Sequence, residues 1–156
     1  EEANFQVAAY QLSANNDAGP LRKFANSSSD KRFIARAYSQ AARFYRKQKD
    51  FPKLIETYEE CLKRMPENAS MMNSYAWDIF RLKLKDKYDR GIEVAKMAVK
   101  LEPESAAIWD TLAQLQFASG NVERAIRAME KATELEPETE SFRELLEKYK
   151  KSRAKA

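Results

Sequence analysis

Three prolines bound what this chain can fold into. Pro66, Pro103 and Pro137 each close a stretch that lays the same residue classes at the same offsets. In the last stretch Trp109, Leu112, Ala113 and Gln116 stand at i, i+3, i+4 and i+7, the spacing of one helix face. Gly120-Asn121 then interrupts the pattern, as a helix C-cap and turn do. Val122, Ala125, Ile126, Met129, Ala132 and Thr133 restart the same period before Pro137 ends it. Two short helices folded on each other have too little core to stand alone, so copies are expected beside them.

The copies are there. Tyr38, Ala41, Ala42 and Tyr45 are followed by Leu54, Tyr58, Cys61 and Pro66, a span of 28 residues, the same as from Trp109 to Pro137. A middle copy runs Met72, Tyr75, Ala76 and Ile79, then Gly91, Ala95, Ala98 and Pro103, over 31 residues. Its three extra residues fall in "RLKLKDKYDRG", between its two helices. The spacing between prolines repeats this, with 37 residues from Pro66 to Pro103 and 34 from Pro103 to Pro137.

These residues resemble the tetratricopeptide repeat, a 34-residue helix-turn-helix with the pattern Trp-x-x-Leu-Gly-x-x-Tyr, Ala-x-x-x-Phe and Pro. Trp109, Leu112, Ala125 and Pro137 are identical to it, while Ala113 replaces the Gly, Gln116 the Tyr and Met129 the Phe. The first copy has Tyr38 for the Trp and Leu54 for the small Ala; the middle copy has Met72 and Gly91. The resemblance implies an all-α fold, a right-handed α-solenoid of such repeats with a C-terminal capping helix. We read a single domain over residues 1–156: an N-terminal helical pair at 2–27, repeat 1 at 35–68, repeat 2 at 69–105 with its three-residue insertion, repeat 3 at 106–137, and a capping helix at 138–153.

The flanks are shorter than a repeat. Phe5, Ala8, Ala9 and Leu12 form a stripe, "NNDAG" breaks it, and Pro20 suits the first turn of a second helix. At the other end Phe142, Leu145, Leu146 and Tyr149 make an equally clean stripe, and Ser141 with Glu144 has the spacing of a capping box. A repeat array needs such a terminal helix, apolar on one face and polar on the other. "KKSRAKA" is expected to fray. "EEANFQVAAY" opens directly on an amphipathic helix without a charged-then-apolar leader, as a mature or trimmed product would.

Chemistry is excluded more than indicated. With no His the chain lacks the commonest general base and metal ligand, and its one Cys makes neither an internal disulfide nor a Cys-based zinc site. Cys61 occupies the small-residue slot shared with Ala98 and Ala132, which reads as a buried, inert thiol. No Gly-rich phosphate loop is built from Gly19, Gly91 and Gly120. Carboxylate pairs such as Glu59-Glu60 lie at helix ends, as solvated charge does. We therefore expect no enzyme, no cofactor, no metal and no small-molecule substrate. No stretch approaches the ~18 apolar residues of a membrane span, so no membrane partner is expected.

The net charge of +4 comes from 28 basic and 24 acidic residues, with "RFYRKQKDFPK" and "RLKLKDKYDR" the most basic stretches. A basic nucleic-acid adaptor is one alternative on that ground. Lys alternates with Asp in the second stretch, as on an ordinary solvated helix, so no nucleic-acid partner is expected.

Binding of a protein or peptide remains. The first helix of each pair in such a stack lines the concave surface. Positions opposite the apolar seam are Arg36, Ser39, Arg43 and Lys47 in the first copy. In the middle copy they are Ser70, Asn73, Trp77, Phe80 and Arg81, and in the last Ala107, Asp110, Gln114 and Phe117. We take Arg36, Ser39, Arg43, Asn73, Trp77, Phe80, Asp110 and Gln114 as the partner-binding groove. Phe80 and Phe117 also suit packing against a neighbouring helix, and Asn73 and Asp110 suit a hydrogen bond between adjacent helices. Trp77, whose counterparts are the polar Arg43 and Gln114, is the expected anchor for a partner side chain.

The resemblance also implies what this groove lacks. The family's clamp for chaperone C-termini uses Lys and Asn on one first helix, Asn on the next and Lys or Arg on the third. The corresponding positions here carry Ser39 and Arg43, Ser74, then Ala107 and Thr111. A narrower resemblance joins "MMNSYAWDIF" and "IWDTLAQLQFASG" to bacterial tetratricopeptide proteins, some attached to a thioredoxin-like domain in a periplasmic or secreted chain. An auxiliary domain of such a redox protein is the other alternative. It inclines the compartment towards extracytoplasmic; the residues themselves leave cytoplasmic equally open.

Overall fold

The computed structural model describes residues 1–154. Among them are nine α-helices and one 3-10 turn: α1 (Glu2–Asn15), α2 (Gly19–Ser27), α3 (Lys31–Gln48), α4 (Phe51–Arg64), α5 (Ala69–Arg81), the turn Lys85–Lys87, α6 (Tyr88–Leu101), α7 (Ala106–Ala118), α8 (Val122–Leu135) and α9 (Glu140–Arg153). They form two compact units, Glu1–Met71 and Met72–Ala156, the division falling in the first turn of α5.

Each first helix of a repeat ends in the same way. At the end of α7, Gly120 takes a left-handed φ of 81° and donates to Phe117 O, while Asn121 N–H donates to Gln116 O. This crossed pair of bonds satisfies carbonyls that the helix end leaves free. Eleven residues past Tyr38 and Met72, as Gly120 is past Trp109, Lys49 and Lys83 do the same with φ of 58° and 55°. Lys49 N–H donates to Arg46 O and Asp50 N–H to Tyr45 O; Lys83 donates to Phe80 O and Leu84 to Ile79 O. The extra residues of the middle copy are thus inserted after an ordinary helix stop, and they form the 3-10 turn before α6.

In the first unit, α1 and α2 close over α3 through three rings. Phe5 lies 5.8 Å from Phe24 and 5.6 Å from Phe33, and all three are buried. Asn16, at φ 52°, turns the chain, and Asp17 accepts from Gly19 N–H at 2.9 Å to start α2. Asp30 caps α3 by accepting from Arg32 N–H, and the Arg32 guanidinium holds its carboxyl down at about 2. Asp50 caps α4 through Lys53 N–H.

Polar cross-links then join helices that the seam alone leaves apart. Arg22 of α2 reaches Glu60 at 2.5 Å and Glu56 at 3.0 Å on α4, which holds its guanidinium firmly protonated. Tyr38 donates to Asn26 at 2.7 Å, and Arg64 donates to the carbonyl of Ser28.

In the second unit small residues bring the helices together. An added Cβ on Gly91 would lie 3.1 Å from both Ile79 of α5 and Leu115 of α7, so α6 sits hard against both. Ala98 of α6, Ala113 of α7 and Ala125 and Ala132 of α8 are completely buried. Helix α9 packs along α8 and reaches the end of α7, with Phe142 and Tyr149 buried and the Tyr149 ring stacked on Phe117 at 4.2 Å and 18°. Its cap is Thr139, two residues before Ser141, and no side-chain capping bond forms. Nor do the residues after Tyr149 fray where the sequence suggested: α9 runs through Arg153, with Lys150 paired to Glu130 at 3.1 Å. The last two residues of that segment lie outside the described residues.

Candidate binding faces

The first helices present the expected side chains in two separate settings, one in each unit. On α3, Arg36 is exposed at its edge but lies flat on the core, its guanidinium carbon 4.5 Å from the Phe5 ring centre and 5.6 Å from that of Phe33. Such a cation over a ring face contributes ~0.5–1 kcal/mol where water still reaches it. Ser39 is exposed too, with its hydroxyl 3.4 Å from the sulfur of Met71. Arg43 and Lys47 stand free of the core on the same helix. Arg36 is therefore a packing residue that shows one edge, and the basic face of α3 rests on Arg43 and Lys47.

The second unit holds the more selective set. Trp77 and Phe80, one turn apart on α5, are both half-buried, their rings 5.4 Å apart and tilted by 39°. One turn earlier stands Asn73, whose Oδ1 is buried without a hydrogen-bond partner among the described residues. A buried acceptor without a donor costs ~1–3 kcal/mol, so it is the point on this helix where a ligand N–H gains most. On α7, Asp110 accepts from Gln114 Nε2 at 2.8 Å, one turn along its own helix. Burial pushes the Asp110 carboxyl up, against the smaller opposing effect of Gln114.

Asp110 thus finds its partner within α7, and Asn73 Oδ1 has none among the described residues, so neither shows there the hydrogen bond between adjacent helices suggested by their equivalent positions. Phe117 does pack on a neighbour, through Tyr149, with Lys148 Nζ 5.6 Å from its ring centre. The Tyr149 hydroxyl is held protonated first by burial and then by the Asp110 charge.

Two polar residues escaped sequence reasoning. Asp78 on α5 is only 2% exposed and meets Arg81 at 3.2 Å. The i, i+3 spacing of that pair was the available signal. Gln116 is 5% exposed, and its Oε1 is buried without a hydrogen-bond partner among the described residues. Its signal was the replacement of the pattern's Tyr by an amide. Cys61 is fully buried, and that burial pushes its thiol up to about 12.

Helix pairs in fixed phase, the first helix of each stopped by a left-handed residue at the same position and the last pair covered by a terminal helix, define a helical-repeat protein whose first helices carry accessible polar and aromatic groups. Comparison with known proteins names the class. Tetratricopeptide repeat profiles match residues 84–149 and residues 35–68. The chain belongs to the tetratricopeptide repeat family.

It is 28% identical over 101 residues to the human mitochondrial import receptor subunit TOM70, which covers 65% of this chain but only 16% of that protein. It also superimposes on the first tetratricopeptide domain of Spaghetti (RPAP3) bound to the HSP90 peptide SRMEEVD. That match has a TM-score of 0.68 at 24% identity and covers 77% of this chain and 93% of that one. MamA residues 41 to the end from Desulfovibrio magneticus RS-1 superimpose with a TM-score of 0.76 at 16% identity, over 98% of this chain and 85% of that one. These likenesses support neither the thioredoxin-linked setting nor a nucleic-acid adaptor.

Proposed function

We propose that this chain is a non-catalytic protein-interaction module whose α5 and α7 faces bind an extended peptide or protein segment. One observation carries the reading: the unpaired buried Oδ1 of Asn73 stands one turn from the Trp77–Phe80 pair. An apolar partner side chain lies against the rings, while a backbone N–H of the same segment donates to Asn73. Large rings do this at low entropic cost. Asp110 and Gln114 supply a polar stretch on α7.

The likeness to a domain bound to an HSP90 peptide supports peptide binding as the class. The residues that would clamp a terminal carboxylate are replaced here by Ser39, Arg43, Ser74, Ala107 and Thr111, so an acidic chaperone tail is not the preferred partner. Because the match spans 16% of the import receptor's length, that receptor's role is not carried over.

The test uses Trp109→Phe protein, which leaves Trp77 as the sole indole. A peptide library with apolar anchors is titrated beside SRMEEVD, following Trp77 emission. Binding peptides shift the emission more tightly than SRMEEVD does, and Trp77→Ala weakens them by about 2 kcal/mol or more with helical signal intact. If Trp77→Ala instead lowers the melting temperature as a core truncation does, and the indole is fully shielded in the free protein, the reading fails.

A further inference from the structure

On the face built by α6 and α8, the second helices of their pairs, lies a cleft of about 450 Å³ that the reading above leaves unused. This is within the ~300–1,000 Å³ of ligand sites. Its floor includes Gln116 of α7, at the position where the repeat pattern has Tyr and the first repeat has Tyr45. An amide there fills less space than a ring, and it introduces an acceptor, Oε1, that is buried and has no donor among the described residues.

The walls carry charge that is equally unanswered. Lys96 and Lys100, one turn apart on α6, and Arg124 in the first turn of α8 line the cleft, and none forms an ion pair among the described residues. Of the acids, Glu93 is held by Arg90 at 2.7 Å, which leaves Asp89 to face three cations. Beside the lysines, Met97 and Leu101 are 36% and 42% exposed, an apolar strip one turn long on α6. Ligand features follow from these groups: a hydrogen-bond donor for Gln116, negative charge for the cations, and an apolar group for Met97. A fully ionised carboxylate or phosphate has no donor, and a metal ion meets three positive charges.

We propose that this cleft binds an acidic peptide segment of a partner protein. A backbone N–H donates to Gln116 Oε1, carboxylates meet Lys96, Lys100 and Arg124, and one apolar side chain covers Met97. The site is independent of the Trp77 face, so the chain holds two partner segments at once.

The probe is a fluorescein-labelled acidic peptide, Glu-Leu-Glu-Asp-Glu, followed by anisotropy at physiological salt. Lys96→Ala with Lys100→Ala, on exposed positions, is expected to weaken binding at least tenfold, and Gln116→Met to weaken it severalfold. Gln116→Tyr, which restores the ring of the pattern, abolishes binding and raises the melting temperature. Trp77→Ala, and Lys23→Ala with Lys63→Ala as a charge control on exposed positions, leave binding unchanged.

Absence of binding at millimolar peptide overturns the proposal. So does equal weakening by the control pair, which marks diffuse charge attraction. Equal binding of inorganic phosphate, or tighter binding of a single-stranded oligonucleotide, replaces the peptide with another ligand and also overturns it. Loss with Trp77→Ala assigns the probe to the other face.

Discussion

The first repeat and the last follow one pattern and close it differently. In α3–α4 the seam position meant for a small residue holds Leu54, fully buried, and the helices are tied from outside by Arg22, Arg64 and Tyr38. In α7–α8 that position is Ala125, and the helices lie against each other along more of their length than α3 and α4 do. A large seam residue brings its own apolar burial but needs flanking cross-links. A small one replaces them with direct backbone approach, and its polar oddity, Gln116, is left facing a cleft. The pattern therefore specifies phase, while the seam residue decides where polar groups must be spent on cohesion.

The largest effect is expected where the second unit depends on its terminal helix. Removing residues 138–156 strips Tyr149 and Phe142 from the last repeat, and Tyr149→Ala alone should cost ~3–5 kcal/mol, as other buried rings do. Chemical denaturation and sedimentation measure both. A truncated protein that stays monomeric with an unchanged melting temperature would show that α7 and α8 need no cover.

Exchanging the seams comes next. Leu54→Ala should cost ~2–5 kcal/mol, because the cross-links keep α3 and α4 in their present places and the cavity persists. Gly91→Leu should do comparable or greater harm, since even one carbon meets Ile79 and Leu115 at 3.1 Å. Should Leu54→Ala prove nearly neutral, α3 and α4 must close up as α7 and α8 do, and the contrast between the repeats collapses.

Arg22→Ala sharpens the same contrast at a smaller scale. Arg22 is 15% exposed at its side chain and bonds two carboxylates, of which Glu60 is 26% and Glu56 60% exposed. With the exposed partner screened by solvent, a loss of about 1.5 kcal/mol is expected. Double-mutant cycles should put most of it on Glu60 rather than Glu56. No comparable loss should follow from breaking Lys131–Glu134, an exposed pair one turn apart on α8.

How much of this was legible depends on how local each determinant is. Period, prolines and Gly120 are encoded within a turn or two, so the helix pairs and the stop after α7 could be read directly. Lys49 and Lys83 were not readable as left-handed stops, because nothing local marks a Lys for that region; only the register with Gly120 reveals them. The capping box at Ser141 failed by two residues, within the usual imprecision of helix ends. Among the site residues, the Trp77–Phe80 pair follows from i, i+3 spacing. The packing of Arg36 on Phe5 does not, because it joins positions 31 residues apart. The buried acceptors of Asn73 and Gln116 were invisible for a related reason: a missing partner is a property of everything nearby.

The smallest effect concerns those three stops, and its sign differs between them. Gly120 has nothing within 4 Å of an added Cβ, so Gly120→Ala changes only the backbone preference at φ 81° and should cost ~1 kcal/mol. Lys49 already bears that cost at φ 58°, and Lys49→Gly removes it. The gain is partly cancelled, because Gly also loosens the unfolded chain by ~0.4–1 kcal/mol. A net stabilisation of about 0.5 kcal/mol or less is therefore expected from Lys49→Gly, and a clear destabilisation from Gly120→Ala, both read from denaturation midpoints at constant slope. Equal and opposite shifts would mean that backbone strain and unfolded-chain freedom weigh alike at the two stops. A loss from Lys49→Gly would mean that the Lys49 side chain, not only its backbone, helps hold the first repeat closed.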